Sequence, residues 1–268
     1  MCFFLTMNLR STPESAVIKI GTDSITPKVI AALAAQVAQT RKHVDRLAIV
    51  SSGAVQFGRM DQGVKKRPDE TVSDQKFFAA IGQPLLMAAY TREFKKQGIS
   101  VAQALVTWDD FDSRSIRAQL EGVLNRCFDS KKPTIAILNE NDVTADDELV
   151  RYTDNDHLTV DVAELIDADA ALFLSRLNGV RRNIRDPRSR IKTVDYGDDS
   201  WLQWIKESKS KNGKGGMKTK GKYVRELTEQ GRDAIIASAR IRNVVPRVLI
   251  DGDDIGTHFL PKQLGKQP

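Results

Sequence analysis

Cysteine is nearly absent from this sequence: Cys2 and Cys127 are the only two in 268 residues. Two such distant cysteines make neither a disulfide framework nor a metal-ligand spacing, which suits a reducing, cytoplasmic setting. Histidine is almost as scarce. His43, His157 and His258 are scattered, and each reads as structural or exposed rather than as a ligand. No GxSxG elbow is present, so nucleophilic serine chemistry is disfavoured. No dinucleotide GxGxxG fingerprint and no internal repeat occur. No run of eighteen apolar residues exists, so no membrane span is indicated. The apolar start "MCFFLTMNLR" is short and lacks a basic leader and a small-residue cleavage site. It reads as a ragged N-terminus rather than a targeting peptide.

What is present is ordinary for a soluble globular chain: 41% hydrophobic and 28% charged residues. The length suits one large domain or two small ones. The net charge is +6, but the Lys/Arg excess is spread along the chain. Its densest part is "KESKSKNGKGGMKTKGK". Such a loop stays solvated or handles a small phosphate ligand, so no nucleic-acid partner is expected.

Strand and helix patterns alternate. "SAVIKI" (Ser15–Ile20), "DRLAIV", "ISVAQALV", "PTIAIL", "DAALFL" and "DAIIAS" are short apolar runs with strand character. Helical spacing follows in "PKVIAALAAQVAQTRKH", in Ser73–Gln97, in "DHLTVDVAELID" and in "MKTKGKYVRELTEQ". Pro84 predicts a break or kink inside the Ser73–Gln97 helix. Residues 197–216, rich in Lys, Ser, Asp and Gly, read as flexible. Continuous apolar strands separated by helices imply an α/β fold: a three-layer α/β/α sandwich with a mostly parallel central sheet. In such sheets ligands bind beyond the carboxyl ends of the strands. The informative residues should therefore follow the strands, and they do.

Lys19 lies one residue before the end of an apolar strand, where a charge needs a partner. The alternative is a solvent-facing lysine on an edge strand. Ser51, Ser52, Gly53 and Ala54 join a strand to a helix. A serine hydroxyl and the Gly53 N–H can serve a ligand there, and Ser52 can equally be a plain helix N-cap. From Asn139 to Asp156 the chain carries seven acids against a single Arg151. "NENDV" follows a strand and "TDND" precedes a helix, with Asp154 and Asn155 as natural N-caps. In "KGGMKTK" (Lys214–Lys220), two glycines and three lysines sit where a helix begins, a combination suited to polyphosphate. A solvated basic loop is the competing reading. Gly216 to Gly221-Lys222 has the spacing of a Walker A loop, but Tyr223 replaces the Ser/Thr that would hold Mg²⁺.

In order, "VIKIGTDSIT", "IVSSGAVQFGR", "DQKFFAAIGQPLLM", "AILNENDV", "YTDNDHLTVDVA", "GKGGMKTK" and a late "GTHFLP" resemble the glutamate 5-kinases of the amino acid kinase family. The resemblance runs from about Ala16 to Phe259. It implies residues 15–262 as the kinase domain, after an N-terminal extension (1–14) and before a tail (263–268). Many family members carry a further PUA-type domain after this point, and the sequence resembles the short members.

The implied reaction is phosphorylation of the γ-carboxylate of L-glutamate by ATP with Mg²⁺, the first step of proline biosynthesis. Lys19 and Lys220 would neutralise the phosphoryl group, and Gly21 and Gly53 would offer N–H groups. Asp156 would orient the two lysines. Ser52, Gly53, Ala54, Asn139, Asp142 and Asn155 would hold glutamate. Lys19, Ser175, Arg176, Lys214, Gly215, Gly216, Met217, Lys218, Thr219 and Lys220 would serve the nucleotide, with no dedicated protein ligand set for the metal. The resemblance also implies a homodimer or homotetramer and feedback inhibition by proline. The Ser73–Gln97 helix is a candidate interface, although core packing explains its Phe77, Phe78, Leu85 and Leu86 equally well.

Three departures stand out. Ser175-Arg176 replaces the family's Thr-Asp, beside further arginines at 181, 182 and 185. Asp23 replaces a small polar residue, and "IRAQ" (Ile116–Gln119) replaces "LNAR". A non-catalytic relative that binds glutamate or proline, and a kinase of the same fold with another acidic substrate, are the alternatives.

Overall fold

The computed structural model describes residues 12–145, 155–205 and 217–263. In chain order the elements are β1 (Ser15–Ile20), α1 (Pro27–Thr40), β2 (Arg46–Ser51), α2 (Ala54–Asp61), α3 (Val72–Lys96), β3 (Ser100–Val106), α4 (Trp108–Asp112), α5 (Arg114–Phe128), β4 (Thr134–Glu140), α6 (Asn155–Leu165), β5 (Ala170–Ser175), β6 (Thr193–Val194), α7 (Met217–Glu229), β7 (Asp233–Ser238), α8 (Val244–Leu249) and β8 (Thr257–Phe259). The strands form one sheet in the order β3-β4-β2-β1-β5-β7-β8-β6. Every pairing is parallel except β7 with β8. Each apolar run read as a strand is one.

Side chains alternate across a strand, and this splits the core in two. Ile18 and Ile20 of β1 pack with Leu33 of α1, Leu86 of α3 and Leu249 of α8. Val17, on the opposite face, packs with Leu158 and Val162 of α6 and Val224 of α7. Helices therefore cover both faces, and the expected three-layer sandwich is borne out. β1 is buried at all six positions. Its start is clamped by Asp169, whose Oδ2 accepts from the Glu14 N–H at 2.8 Å, the Ser15 N–H at 3.0 Å and the Ser15 hydroxyl at 3.0 Å.

Two expectations are corrected. Pro84 does not interrupt its helix: α3 runs from Val72 to Lys96 with Pro84 inside it. A proline removes one N–H bond from the ladder, and here the rest of the helix is held at both ends. Thr71 and Asp74 form a reciprocal capping box at its start, and Leu86, Tyr90 and Phe94 lie fully buried beyond the proline. The second correction concerns 197–216. Ser200–Trp204 form a 3-10 turn, and Trp201 is 1% exposed, edge-on to Phe259 with ring centroids 4.8 Å apart. A buried indole outweighs the polar composition around it. Residues 206–216 lie outside the described residues. On α3, Phe78 and Leu86 face the core while Phe77 and Leu85 stay exposed.

Helices α2 and α3 pack backbone to backbone. A Cβ on Gly82 would collide with the Ala54 carbonyl, and one on Gly58 with the Phe78 carbonyl. Glycine at both positions lets the helices meet without side chains between them. The pairing brings α3 against the loop that follows β2.

Candidate active site

Strands β2, β4 and β3 fill one side of β1, and β5 and β7 begin the other. The chain thus switches sides at β1, and a crevice opens at the carboxyl ends of the strands around it. Lys19 sits there. Strand alternation places it on the α6 face with Val17, not on an edge, and it is 1% exposed. Its partner is Asp156 in the first turn of α6, itself fully buried. Lys220, in the first turn of α7, donates to both oxygens of the same carboxylate at 2.9 and 2.7 Å. A buried charge must be paired to be tolerated. Two ammonium groups thus share one buried carboxylate at the carboxyl ends of the strands. Gly21 lies beside the Lys19 ammonium: a Cβ there would sit 3.6 Å from it, in ordinary van der Waals contact.

On the other side of Asp156 the polar groups are neutral. Asn155 begins α6 and is 7% exposed. Its side chain does not cap the helix. Its Nδ2 donates to the Ser51 carbonyl at 2.9 Å, the Ser52 hydroxyl at 3.0 Å and Asn139 Oδ1 at 2.7 Å. Asn139 Oδ1 also accepts from the Glu140 N–H at 2.9 Å, and Asn139 Nδ2 donates to Gln83 Oε1 at 2.7 Å. Ser51 shares a 2.9 Å hydrogen bond with the Tyr90 hydroxyl. Burial pushes the Tyr90 hydroxyl well above its ordinary pKa, against the bond to Ser51, so it stays neutral.

Ser52 is not the N-cap of α2. Gly53 is, at φ 118, and makes no side-chain cap. That backbone favours glycine, and a Cβ there would also press on Ile25 at 2.7 Å. Ala54 opens α2 and is buried. Asp142 lies half-buried in the turn after β4. The same turn is held by Lys76 of α3, which donates to the Ala145 carbonyl at 2.9 Å.

The third region lies at the ends of β5 and β7. Ser175 pairs in register with Ser238, and its hydroxyl donates to the Leu177 carbonyl at 2.8 Å. The Ser238 hydroxyl donates to the Arg176 carbonyl at 3.1 Å and accepts from the Arg240 N–H at 3.3 Å. The Arg176 and Arg240 side chains leave from this point into solvent, with no partner among the described residues. Met217, Lys218 and Thr219 share the first turn of α7 with Lys220. Lys214, Gly215 and Gly216, and likewise Asp154, lie outside the described residues. Lys222 is exposed, its ammonium 5.1 Å from the Tyr223 ring, in keeping with the rejection of a Walker A reading.

The structure thus joins Lys19, Lys220 and Asp156 in one cluster and Ser52, Asn139 and Asn155 in another. The histidines stay outside both. His258 meets Asp233 at 2.6 Å, His157 stacks on Tyr223, and His43 is exposed. Sequence reasoning gave no role to Gln83 or Tyr90. The available signal was a glutamine and a tyrosine inside the otherwise apolar "FFAAIGQPLLMAAY".

A positive crevice beside directed amides, at the switch point of a parallel sheet, is built to hold a small anion. The chain belongs to the amino acid kinase family, whose model matches residues 14–238. It is 33% identical over 273 residues to a glutamate 5-kinase of Methanosarcina acetivorans, covering 92% of this chain and 68% of that one. It is 34% identical over 260 residues to a glutamate 5-kinase of Dehalococcoides mccartyi (92% and 69% covered). For that of Bacteroides thetaiotaomicron the figures are 33% over 235 residues, with 87% and 64% covered. The chain therefore spans about two thirds of the length of these relatives. Among solved structures, a carbamate kinase from Giardia lamblia bound to AMP-PNP matches with a TM-score of 0.61. It covers 92% of this chain and 98% of that one at 13% identity, a likeness of fold. The family read from the ordered motifs is borne out.

Proposed function

We propose that this protein transfers the γ-phosphoryl group of ATP to the γ-carboxylate of L-glutamate, giving ADP and γ-glutamyl phosphate, the first step of proline biosynthesis. The observation that carries this reading is Asp156 holding Lys19 and Lys220 together beside the Asn155–Asn139–Ser52 amide cluster. The nucleophile is the substrate's own carboxylate. Its unperturbed pKa is about 4.3, so at neutral pH it needs no general base. The absence of histidine from both clusters is consistent with that demand. What the reaction requires is two anions held in line while charge is neutralised.

Lys19 and Lys220 supply the neutralising charge, and Asp156 fixes where it points. Gly21 and Gly53 leave their N–H groups free of side-chain cover. Ser52, Ala54, Asn139, Asp142 and Asn155 hold glutamate, with Asp142 meeting its ammonium group. Ser175, Arg176 and the segment from Lys214 to Thr219 serve ATP. Among the described residues no group of three His, Cys, Asp or Glu could hold a metal ion. Mg²⁺ keeps several waters and is held chiefly by substrate phosphates with one or two carboxylates. Asp23 fits the protein's share: its Oδ1 is buried in the loop after β1 with no partner among the described residues. Bound there, the ion would add charge neutralisation at the phosphates. The exposure of Phe77 and Leu85 on α3 supports a homodimer or larger oligomer formed through that helix.

The test is ATP turnover with L-glutamate and Mg²⁺, trapping the acyl phosphate as hydroxamate, with Lys19→Ala as control. Glutamate-dependent product well above that control is expected. Product with aspartate or acetylglutamate alone would point to another acidic substrate, and binding without turnover to a non-catalytic relative.

A further inference from the structure

The amide cluster has a direction, and the backbone sets it. The Ser51 carbonyl can only accept, so the group Asn155 presents to it is Nδ2. The Glu140 N–H can only donate, so the group Asn139 presents to it is Oδ1. With both ends pinned, Asn155 must donate to Asn139 and Asn139 must donate onward. The acceptor at the end is Gln83 Oε1. Gln83 stands on α3, outside every motif to which sequence chemistry gave a role.

Helix α3 is fitted to deliver it. Lys76 and Gln83 are seven residues apart, and therefore on one helix face. Both reach toward the end of β4: Lys76 to the Ala145 carbonyl, Gln83 to Asn139. The residue before Gln83 is Gly82, the point of backbone contact with α2. A second observation marks Gln83 as more than packing. Its Nε2 is buried and has no hydrogen-bond partner among the described residues. A buried donor left unmade is destabilising, and this glutamine keeps it while its other end holds Asn139.

We propose that Gln83 is a positioning residue for the amino acid substrate, anchoring the Asn139 amide through its Nδ2 so that Asn139 Oδ1 stays in place to hold Asn155 in the direction the backbone sets. Asn155 Nδ2 is then committed to the protein, and its Oδ1, which bonds no described residue, is left as an acceptor. An acceptor in that place suits a substrate ammonium group. The proposal deepens the glutamate-kinase reading and rests on it.

Glutamate-dependent turnover of the wild-type enzyme comes first, since its absence would overturn the functional reading itself. Given turnover, Gln83→Met and Gln83→Glu are compared by steady-state kinetics and by calorimetric titration of L-glutamate. Methionine keeps the volume and removes the acceptor. Its KM and Kd for glutamate should rise about fivefold to tenfold, with KM for ATP within twofold of wild type. Glutamate at this position offers an oxygen acceptor in either protonation state and should recover most of the loss. Unchanged glutamate affinity in Gln83→Met, a parallel rise in KM for ATP, or no recovery in Gln83→Glu would each overturn the proposal.

Discussion

Asn155 and Asp156 are neighbours in sequence, yet they serve two regions built on different principles. Asn155 faces a set of neutral groups whose directions are fixed by backbone carbonyls and amides. Asp156 faces lysines, and Arg176 and Arg240 stand exposed after the ends of β5 and β7 with no side-chain partner among the described residues. In the first region the hydrogen bonds run from Asn155 through Asn139 to Gln83, with Asn155 and Asn139 both buried. The second gathers cationic side chains. A small zwitterion is recognised by where donors and acceptors point, and a polyphosphate by how much positive charge it meets. On the proposed function, adjacent residues at one helix start would divide these tasks, since successive side chains there diverge by about 100° around the helix axis.

The comparison breaks most visibly at the charged side. Lys220→Ala should lower kcat by about 10²–10³-fold with little change in KM for glutamate. A variant that instead lost only glutamate affinity would erase the division. On the neutral side, Asn155→Ala should raise KM for glutamate about tenfold, and the effect should persist at high salt because no net charge is removed. Arg176→Ala should raise KM for ATP a few-fold, and the difference from wild type should shrink as ionic strength rises. Salt-independent behaviour there would show that the arginines are not acting by charge.

The smallest effect belongs to the helix that braces the neutral side. Thr71→Ala removes the cap of α3 and should cost about 1 kcal/mol, a Tm drop of roughly 2–4 °C for a chain of this size, with both KM values unchanged. The Thr71 amide and hydroxyl hold the Asp74 carboxyl below its ordinary range. A carboxyl lowered in the folded state stabilises it above about pH 4 and loses that contribution on acidification. The Tm gap between wild type and Thr71→Ala should therefore narrow as the pH falls below about 4.

The charged cluster was legible because its members announce themselves. A lysine in "VIKIG" and an aspartate in "TDNDHLTV" interrupt apolar patterns, and a buried charge has few structural reasons to exist. The ordered motifs then tied Lys19, Lys220 and Asp156 to one task before their contacts were known. Gln83 carried a weaker signal, an uncharged polar residue inside the apolar "FFAAIGQPLLMAAY". A glutamine in a long helix is unremarkable until the helix is seen to touch Asn139. The cap readings of Ser52 and Asn155 erred for a related reason. Capping propensity is local, whereas both side chains are claimed by partners about a hundred residues away. Pro84 misled in the same way: the helix around it is held by a cap and a core that lie beyond any local window.

By itself the sequence determined the alternation of buried strands and helices, the parallel sheet, the family and the charged residues. These follow from periodicity, composition and motif order, which are local along the chain. Only the tertiary structure decided which end of each amide donates within the cluster, that α2 and α3 meet through two glycines, and that Gln83 accepts at the end of the chain of bonds. Those facts depend on groups brought together from distant segments, and hydrogen-bond direction is a property of such pairs rather than of any one residue.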